Sequence, residues 1–285
     1  MQSWPSATAG VLAGCITRTV TSPMDVVKIN VQVHGRGCIR DTCHNIYKTQ
    51  GVRGFWKGNL AGCCRLGPYS GIKFCLYEQL DTHLRDAGGS PSSSSTQHAL
   101  TGAVAGAIAT IFVYPMELVR TRLIVSNQTK IGREFRRIWR IAGVRGLYRG
   151  CLTGLVGAMP FEGIQFACYE HGKTVAVLHR LPVWRWPPAK TSLDSWDHLA
   201  LGSLSGAVAQ LVVYPLDTVK KRLQLQEVSP QFQVRYLGIL DCMAKIVRDE
   251  GIRGLYRGSL PNLVRLVPYS AVMFASYESL KELLD

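Results

Sequence analysis

Acidic side chains are scarce in this sequence, with 19 Asp and Glu against 33 Lys and Arg, and that imbalance calls for an anionic partner: nucleic acid, acidic lipid or a negatively charged solute. Charge alone does not choose among them. Catalytic signatures are missing: there is no P-loop, no GxSxG, no HExxH and no dinucleotide fingerprint, which argues against an enzyme. The nine cysteines form no CxxC pair and no CxxC…HxxxH spacing. A metal site or disulfide framework is therefore not expected, and reduced thiols are. Met1 to Ser6 has no basic region ahead of an apolar stretch, so neither a secretory leader nor an Arg-rich transit peptide is visible there, and any organelle address is expected inside the chain. Charge of either sign is sparse as well. Only 18% of the 285 residues are charged while 47% are apolar, which excludes a disordered chain and requires buried surface.

What is present is a threefold repeat. Pro23-Met24-Asp25-Val26-Val27-Lys28 recurs as Pro115-Met116-Glu117-Leu118-Val119-Arg120 and as Pro215-Leu216-Asp217-Thr218-Val219-Lys220, at intervals of 92 and 100 residues. A second motif follows each time: Gly51-Val52-Arg53-Gly54-Phe55-Trp56-Lys57-Gly58, Gly143-Val144-Arg145-Gly146-Leu147-Tyr148-Arg149-Gly150 and Gly251-Ile252-Arg253-Gly254-Leu255-Tyr256-Arg257-Gly258. Upstream of each proline lies an apolar stretch with glycines four apart, Gly10 and Gly14, Gly102 and Gly106, Gly202 and Gly206, the spacing that lets helices approach closely in lipid. The clearest, Ala99 to Tyr114, has no charge; the first contains Arg18 and the third Gln210. Each is near the lower length limit for crossing a bilayer. A second apolar segment, ending in Tyr-Glu, follows each aromatic-basic-Gly motif: Leu60 to Glu78, Cys151 to Glu170, Ser259 to Glu278. Basic amphipathic stretches such as Ile39 to Thr49 and Ile239 to Arg248 suit helices lying along a membrane surface.

The reading is an all-α membrane protein of six transmembrane helices, arranged as three helix-pair repeats over residues 1–88, 96–180 and 194–285. A Gly/Ser linker (89–95) and a Pro/Trp-rich linker (181–193) separate them. Each proline is expected to kink its helix and set the acid and base three residues apart on one face. Three such helices close a ring.

Pro-x-[Asp/Glu]-x-x-[Lys/Arg] in three copies about 100 residues apart, with the glycine and aromatic-basic-Gly motif beside each, resembles the mitochondrial carrier family over essentially the whole chain. The resemblance implies a monomeric, multi-pass, alternating-access transporter of the inner mitochondrial membrane, with no metal, cofactor or nucleic acid. It implies matrix-side gate pairs Asp25 with Arg120, Glu117 with Lys220, and Asp217 with Lys28. Gln32 and Gln224 stand where the family places a glutamine brace, and Ile124 takes that place in the second repeat. Asn30 replaces the second basic residue matched by Arg122 and Arg222. At the cytoplasmic end Tyr169-Glu170-x-x-Lys173 and Tyr277-Glu278-x-x-Lys281 fit the family's aromatic-acid-x-x-base pattern, whereas Tyr77-Glu78 is followed by Asp81. The implied bridges are Glu78 with Lys173 and Glu170 with Lys281, with Asp81 set against Glu278. Gly58, Gly150 and Gly258 open the even-numbered helices, where unpaired backbone N–H groups attract anions, and the family uses such motifs for cardiolipin. A glycine turn beside an interfacial aromatic anchor accounts for them as well.

Ionisable residues at membrane depth are functional candidates. Arg18 precedes the gate proline of the first helix by five residues, and Arg65 and Arg265 take equivalent places in Arg65-Leu66-Gly67-Pro68-Tyr69-Ser70 and Arg265-Leu266-Val267-Pro268-Tyr269-Ser270. Guanidinium forks bind phosphate oxygens bidentately, so the trio is expected to hold a phosphorylated solute. At the equivalent place in the fourth helix Gly157-Ala158 precede Met159-Pro160-Phe161-Glu162. By resemblance to adenine-nucleotide, ATP-Mg/phosphate and coenzyme A carriers, Gly157 and Ala158 form a flat shelf for an adenine ring. Phe161 either stacks on that ring or packs outward. Glu162 is expected to pair with a cavity base or a substrate amino group, and Lys73 either lines the cavity or reaches an interface. Thr110 and Gln210 match Arg18 in the third and fifth helices. Glu162 keeps an amino-acid or carboxylate carrier open as an alternative, and a non-transporting carrier-fold receptor or scaffold is another.

Overall fold

The computed structural model describes residues 3–34, 39–86, 95–126, 130–178, 195–226 and 236–284. Among these residues all regular structure is helical. The first repeat holds α1 (Ser3–His34), α2 (Ile39–Gln50), a 3-10 turn (Val52–Trp56) and α3 (Asn59–Asp86). The second holds α4 (Ser95–Val125), α5 (Ile131–Leu147) and α6 (Cys151–Leu178). The third holds α7 (Ser195–Leu225), α8 (Ile239–Glu250), α9 (Ile252–Leu255) and α10 (Ser259–Leu284). Most of both linkers, residues 89–94 and 181–193, lies outside the described residues. The even-numbered spans α3, α6 and α10 run past the Tyr-Glu positions at which the sequence reading ended them.

Each repeat is built alike. A long helix containing the gate proline (Pro23, Pro115, Pro215) leads to a short amphipathic helix, which buries the equivalent isoleucines Ile46, Ile138 and Ile246. Glycines with positive φ end that short helix, at 65° (Gly51), 58° (Gly143) and 71° (Gly251). α5 therefore corresponds to α8 and α9 together, bent at Gly143. After one more turn Gly58, Gly150 and Gly258 start the returning helix, again with positive φ (74°, 79° and 81°).

The ring closes between repeats. The most extensive contacts join α3 to α4, α6 to α7, and α10 back to α1, while α1, α4 and α7 meet one another. Buried apolar side chains concentrate where those three helices converge: Val26, Ile29, Val33, Ile124 and Leu225 form one cluster with Ile46 of α2. Elsewhere large apolar side chains face outward, among them Val20, Phe112, Leu152, Phe166, Val212, Leu260 and Phe274, an exposed apolar surface that water does not tolerate and lipid does. Taken singly, Thr101–Val125 and Cys151–Val175 are long and apolar enough to cross a bilayer. The other long helices interrupt their apolar runs with Arg18, Arg65, Gln210 and Arg265.

The paired glycines divide their roles. Gly14, Gly106 and Gly206 face neighbouring helices, with an added Cβ lying 3.2 Å from Leu66, 3.7 Å from Lys73 and 3.7 Å from Gln165. Gly10, Gly102 and Gly202 meet nothing within 4 Å, so only the second member of each pair serves close approach.

Candidate functional site

All three expected matrix-gate pairs are formed. Lys28 Nζ donates to Asp217 Oδ2 at 2.8 Å, Arg120 Nη2 to Asp25 Oδ2 at 2.6 Å, and Lys220 Nζ reaches Glu117 Oε1 at 2.8 Å. Each base comes from the odd helix of one repeat and each acid from that of another, so the ring ties α1, α4 and α7 together. Side-chain exposure at these pairs is 23% or less. Breaking one of them leaves an incompletely solvated charge.

The braces are tyrosine-assisted. Gln32 Nε2 donates to Tyr214 Oη at 2.8 Å and lies 3.5 Å from Asp217 Oδ2, and Gln224 Nε2 donates to Tyr114 Oη at 2.9 Å. Both tyrosines pass a hydrogen bond onward, to the carbonyls of Arg257 and Arg149. The sequence reading missed Tyr114 and Tyr214, although each visibly precedes a gate proline; Ser22 takes that place in the first repeat. Ile124 stands beside Gly58 as Gln224 stands beside Gly150 and Gln32 beside Gly258. The Asp25–Arg120 pair is therefore the one without a glutamine–tyrosine brace.

The three cavity arginines are not alike. Arg65 and Arg265, expected to hold a solute, are paired with gate acids: Arg65 Nη1 lies 3.3 Å from Glu117 Oε2, and Arg265 Nη1 lies 3.1 Å from Asp25 Oδ1. The sequence reading went wrong here because it assigned each gate acid a single base, whereas a carboxylate has two oxygens to share. Arg18 is packed so close to Gly62 that an added Cβ there would be 2.7 Å from Arg18 Nη1 and 3.0 Å from Arg120 Nε. Its Nε and Nη1, together with Nε of Arg65 and of Arg265, are buried donors with no hydrogen-bond partner. Lys221 adds a further base, 3.6 Å from Glu117 Oε1 and bonded to Thr121 and Gln224 side chains. No repeat signal pointed to it, since Ile29 and Thr121 hold the matching places.

The fourth helix corrects one expectation and narrows another. Gly157 is buried against α7, with an added Cβ 3.5 Å from Val213 and 3.6 Å from Leu216, so it serves a helix seam, and only Ala158 offers an exposed surface. Glu162 is exposed and joins no ion pair among the described residues, so no cavity base meets it, and a substrate amino group is the remaining expected partner. Phe161 is half-buried, and Lys73 is exposed with its stem near Gly106 of α4. Thr110 bonds its own helix at the Gly106 carbonyl.

The sequence pattern of the family described as "Mitochondrial carrier protein" matches residues 1–88, 91–180 and 191–285. The chain belongs to the mitochondrial carrier family. This carrier is accordingly a transporter, not an enzyme, and a multi-pass protein of the inner mitochondrial membrane. It is 32% identical, over 95% of the chain, to the mitochondrial thiamine diphosphate carrier 1 of Arabidopsis thaliana, covering 91% of that protein. It is 33% identical, over 97% of the chain, to a mitochondrial adenine nucleotide transporter of the same plant, covering 86% of it. It is also 33% identical, over 99% of the chain, to a mitochondrial adenyl nucleotide antiporter of Homo sapiens, of which it spans 59%.

At the opposite end of this carrier the expected bridges are not made: among the described residues no ion pair joins Glu78 to Lys173 or Glu170 to Lys281, and Glu278 is likewise outside any such pair. Among the described residues the ring of ion pairs expected at the matrix end is complete, while the bridges expected at the opposite end are not formed. Gly58, Gly150 and Gly258 have a packing role in this state: an added Cβ would lie 3.0 Å from the Arg120 carbonyl, 3.2 Å from that of Lys220 and 3.2 Å from that of Lys28. Each glycine thus seats the backbone of a gate base from the adjacent repeat. Outside the membrane spans, Glu250 accepts from Arg222 at 2.6 Å and Arg257 at 2.7 Å. Burial alone would raise its carboxyl pKa, but the two guanidinium groups hold it below the usual glutamate range. Arg122 instead donates to the Gln224 carbonyl, and Asn30 to its own helix at Val26.

Proposed function

We propose that this carrier exchanges or imports a phosphorylated, adenine-nucleotide-like anion, held by Arg18, Arg65 and Arg265. The observation that supports this most is the set of buried guanidinium donors left without partners on all three arginines. Buried donors normally find an acceptor, and the chain supplies too few acids here, since Lys28, Lys220, Lys221 and Arg120 already claim oxygens of Asp25, Glu117 and Asp217. A multiply charged phosphate chain supplies acceptor oxygens at guanidinium spacing. Ala158 and half-buried Phe161 offer an apolar surface for the base. The adenine-nucleotide relatives transport solutes of this class by name.

One observation favours a second reading. The exposed, unpaired carboxylate of Glu162 suits a phosphorylated solute that also bears a positive charge, and a thiamine diphosphate carrier is among the similar proteins. Uptake of labelled ADP and of labelled thiamine diphosphate into liposomes containing the purified carrier separates the two. ADP uptake abolished in a variant carrying Arg18→Ala, Arg65→Ala and Arg265→Ala supports the proposal. Undiminished uptake by that triple variant overturns it. Glu162 is further implicated if Glu162→Gln reduces thiamine diphosphate uptake and spares ADP.

A further inference from the structure

Each repeat carries the same short helix at the matrix end, yet its charge does not repeat. α5 holds Arg133, Arg136, Arg137, Arg140 and Arg145 against one acid, Glu134, whereas the same register holds three bases and one acid in residues 39–55 and three bases and three acids in residues 239–255. Acids have given way to bases or apolar residues: Arg133 stands where the other repeats have Asp41 and Asp241, and Ala142 where the third has Glu250. In α8 Asp241 pairs with Lys245 four residues on, at 2.9 Å; the matching positions in α5 are Arg133 and Arg137, two bases. Glu134 does not neutralise the group. Its side chain is 1% exposed and reaches only Arg137, at 3.9 Å.

Helical spacing aligns these bases. Arg133, Arg136, Arg137 and Arg140 are all exposed, at i, i+3, i+4 and i+7, on the side of α5 away from buried Ile138, in a stripe about 10 Å long. Like charges three and four residues apart destabilise a helix, so the stripe carries a repulsion that one distant carboxylate does not relieve. A cavity of about 770 Å³ runs along it, lined by these four arginines with Lys130, Gly132 and Ile141; small-molecule sites fall between about 300 and 1,000 Å³.

We propose that the outer face of α5 is a second anion site, separate from the arginine cavity, for a soluble linear polyphosphate: three or more phosphates in a row, free or carried by a nucleoside. All four bases of the stripe are arginine, whose planar forks take phosphate oxygens two at a time. A line of phosphates matches the line of guanidinium groups and cancels the repulsion along the helix, and a diphosphate is too short to engage all of it. Exposed Trp139, one turn from Arg136, offers a ring for a nucleoside base to stack on. A lipid surface matches the stripe less well, because a helix lying among headgroups submerges an apolar face, and α5 has packed its own, through Ile138 and Leu147 with Ile131 and Phe135, against Leu118 and Leu123 of α4. The site uses none of Arg18, Arg65 and Arg265, so it stands whether or not the cavity takes a phosphorylated solute.

Equilibrium dialysis of the purified full-length carrier against labelled tripolyphosphate, and separately against labelled ADP, tests the site. Combining Arg133→Gln, Arg136→Gln and Arg140→Gln is expected to weaken tripolyphosphate about tenfold or more while ADP affinity is unchanged. Lysine at the same three positions keeps the charge without the forks and recovers the loss only in part. Removing three bases from the first repeat instead, with Arg40→Gln, Lys48→Gln and Arg53→Gln, leaves tripolyphosphate binding intact. The Tm of the α5 glutamine variant stays at or above that of the unaltered carrier, because like-charged neighbours have been removed; a lower Tm contradicts the repulsion on which the site rests. Tripolyphosphate binding that is unchanged in the α5 variant, or equally weakened by the first-repeat variant, overturns the proposal. So does a variant that binds tripolyphosphate normally but is less stabilised by vesicles containing cardiolipin, since the stripe then faces the membrane. A carrier that binds tripolyphosphate through α5 and no ADP refutes the cavity assignment and keeps this site.

Discussion

Exchanging the charges of Lys28 and Asp217 probes the closed gate most cleanly, because this pair has no cavity arginine attached. The Nζ to Oδ2 distance is 2.8 Å, and the side chains are 12% and 23% exposed. At an effective dielectric of about 20, unit charges some 4 Å apart attract by about 4 kcal/mol. Lys28→Asp or Asp217→Lys alone turns that attraction into repulsion. Breaking a pair at this depth costs about 3–5 kcal/mol, since the survivor is left uncompensated. The balance between matrix-closed and matrix-open states then shifts by about a hundredfold or more. Each single reversal is therefore expected to lower the Tm of the empty carrier and to suppress uptake into liposomes. The double exchange restores both in part. Recovery is incomplete because Gln32 now donates its Nε2 toward Asp217 and Tyr214; facing a lysine, the amide must turn its unpartnered Oε1 inward and give up the tyrosine bond. A double exchange no better than either single reversal refutes the gate pairing.

Ile124→Gln introduces a third glutamine beside Gly58 and is expected to raise the Tm of the empty carrier and slow uptake, by strengthening the Asp25–Arg120 pair; faster uptake with lower Tm contradicts this. Gly150→Ala places a Cβ 3.1 Å from Tyr114 Oη at φ 79°, a strain worth about 1–3 kcal/mol, whereas Gly132→Ala, with open space and ordinary backbone, leaves thermal stability unchanged. Glu250, whose pKa is depressed by Arg222 and Arg257 once burial is overcome, contributes stability that is present above about pH 4.3, the unfolded glutamate value, and lost as pH falls through its lower folded value. Glu250→Gln should flatten that acid limb of a Tm–pH profile, and an unchanged limb rules the link out. Asp81→Lys supplies the base missing from the cytoplasmic end, a gain of about 1 kcal/mol at most for an exposed pair, and is expected to change uptake rate while leaving the ranking of competing solutes intact.

The sequence made the architecture legible because the fold is written three times. Proline, acid and base recur in register, which sets acid and base on one helix face, and the family resemblance assigned them to the pairs Asp25–Arg120, Glu117–Lys220 and Asp217–Lys28. The same logic exposed the odd member, Ile124. What it hid lay in features that symmetry does not repeat or that depend on which oxygen meets which base. Lys221 has no counterpart in the other repeats. Arg65 and Arg265 were legible as cavity bases but not as partners of Glu117 and Asp25, because sequence spacing does not show that an even helix leans onto the following odd one. Gly157 read as a ligand shelf for the same reason: a glycine at a seam and a glycine at a binding surface are identical in sequence, and only Val213 and Leu216 beside it separate them.

Whether a phosphorylated anion fills the arginine site is read from ligand-induced thermal stabilisation of the purified carrier. Binding to the folded state alone raises stability by about 2.7 kcal/mol at a hundredfold excess over Kd. A raised Tm is expected with ADP, ATP or thiamine diphosphate, no shift with adenosine or thiamine, and loss of the shift in Arg65→Ala and Arg265→Ala. Equal stabilisation by adenosine and ADP, or stabilisation by amino acids or simple carboxylates alone, contradicts it.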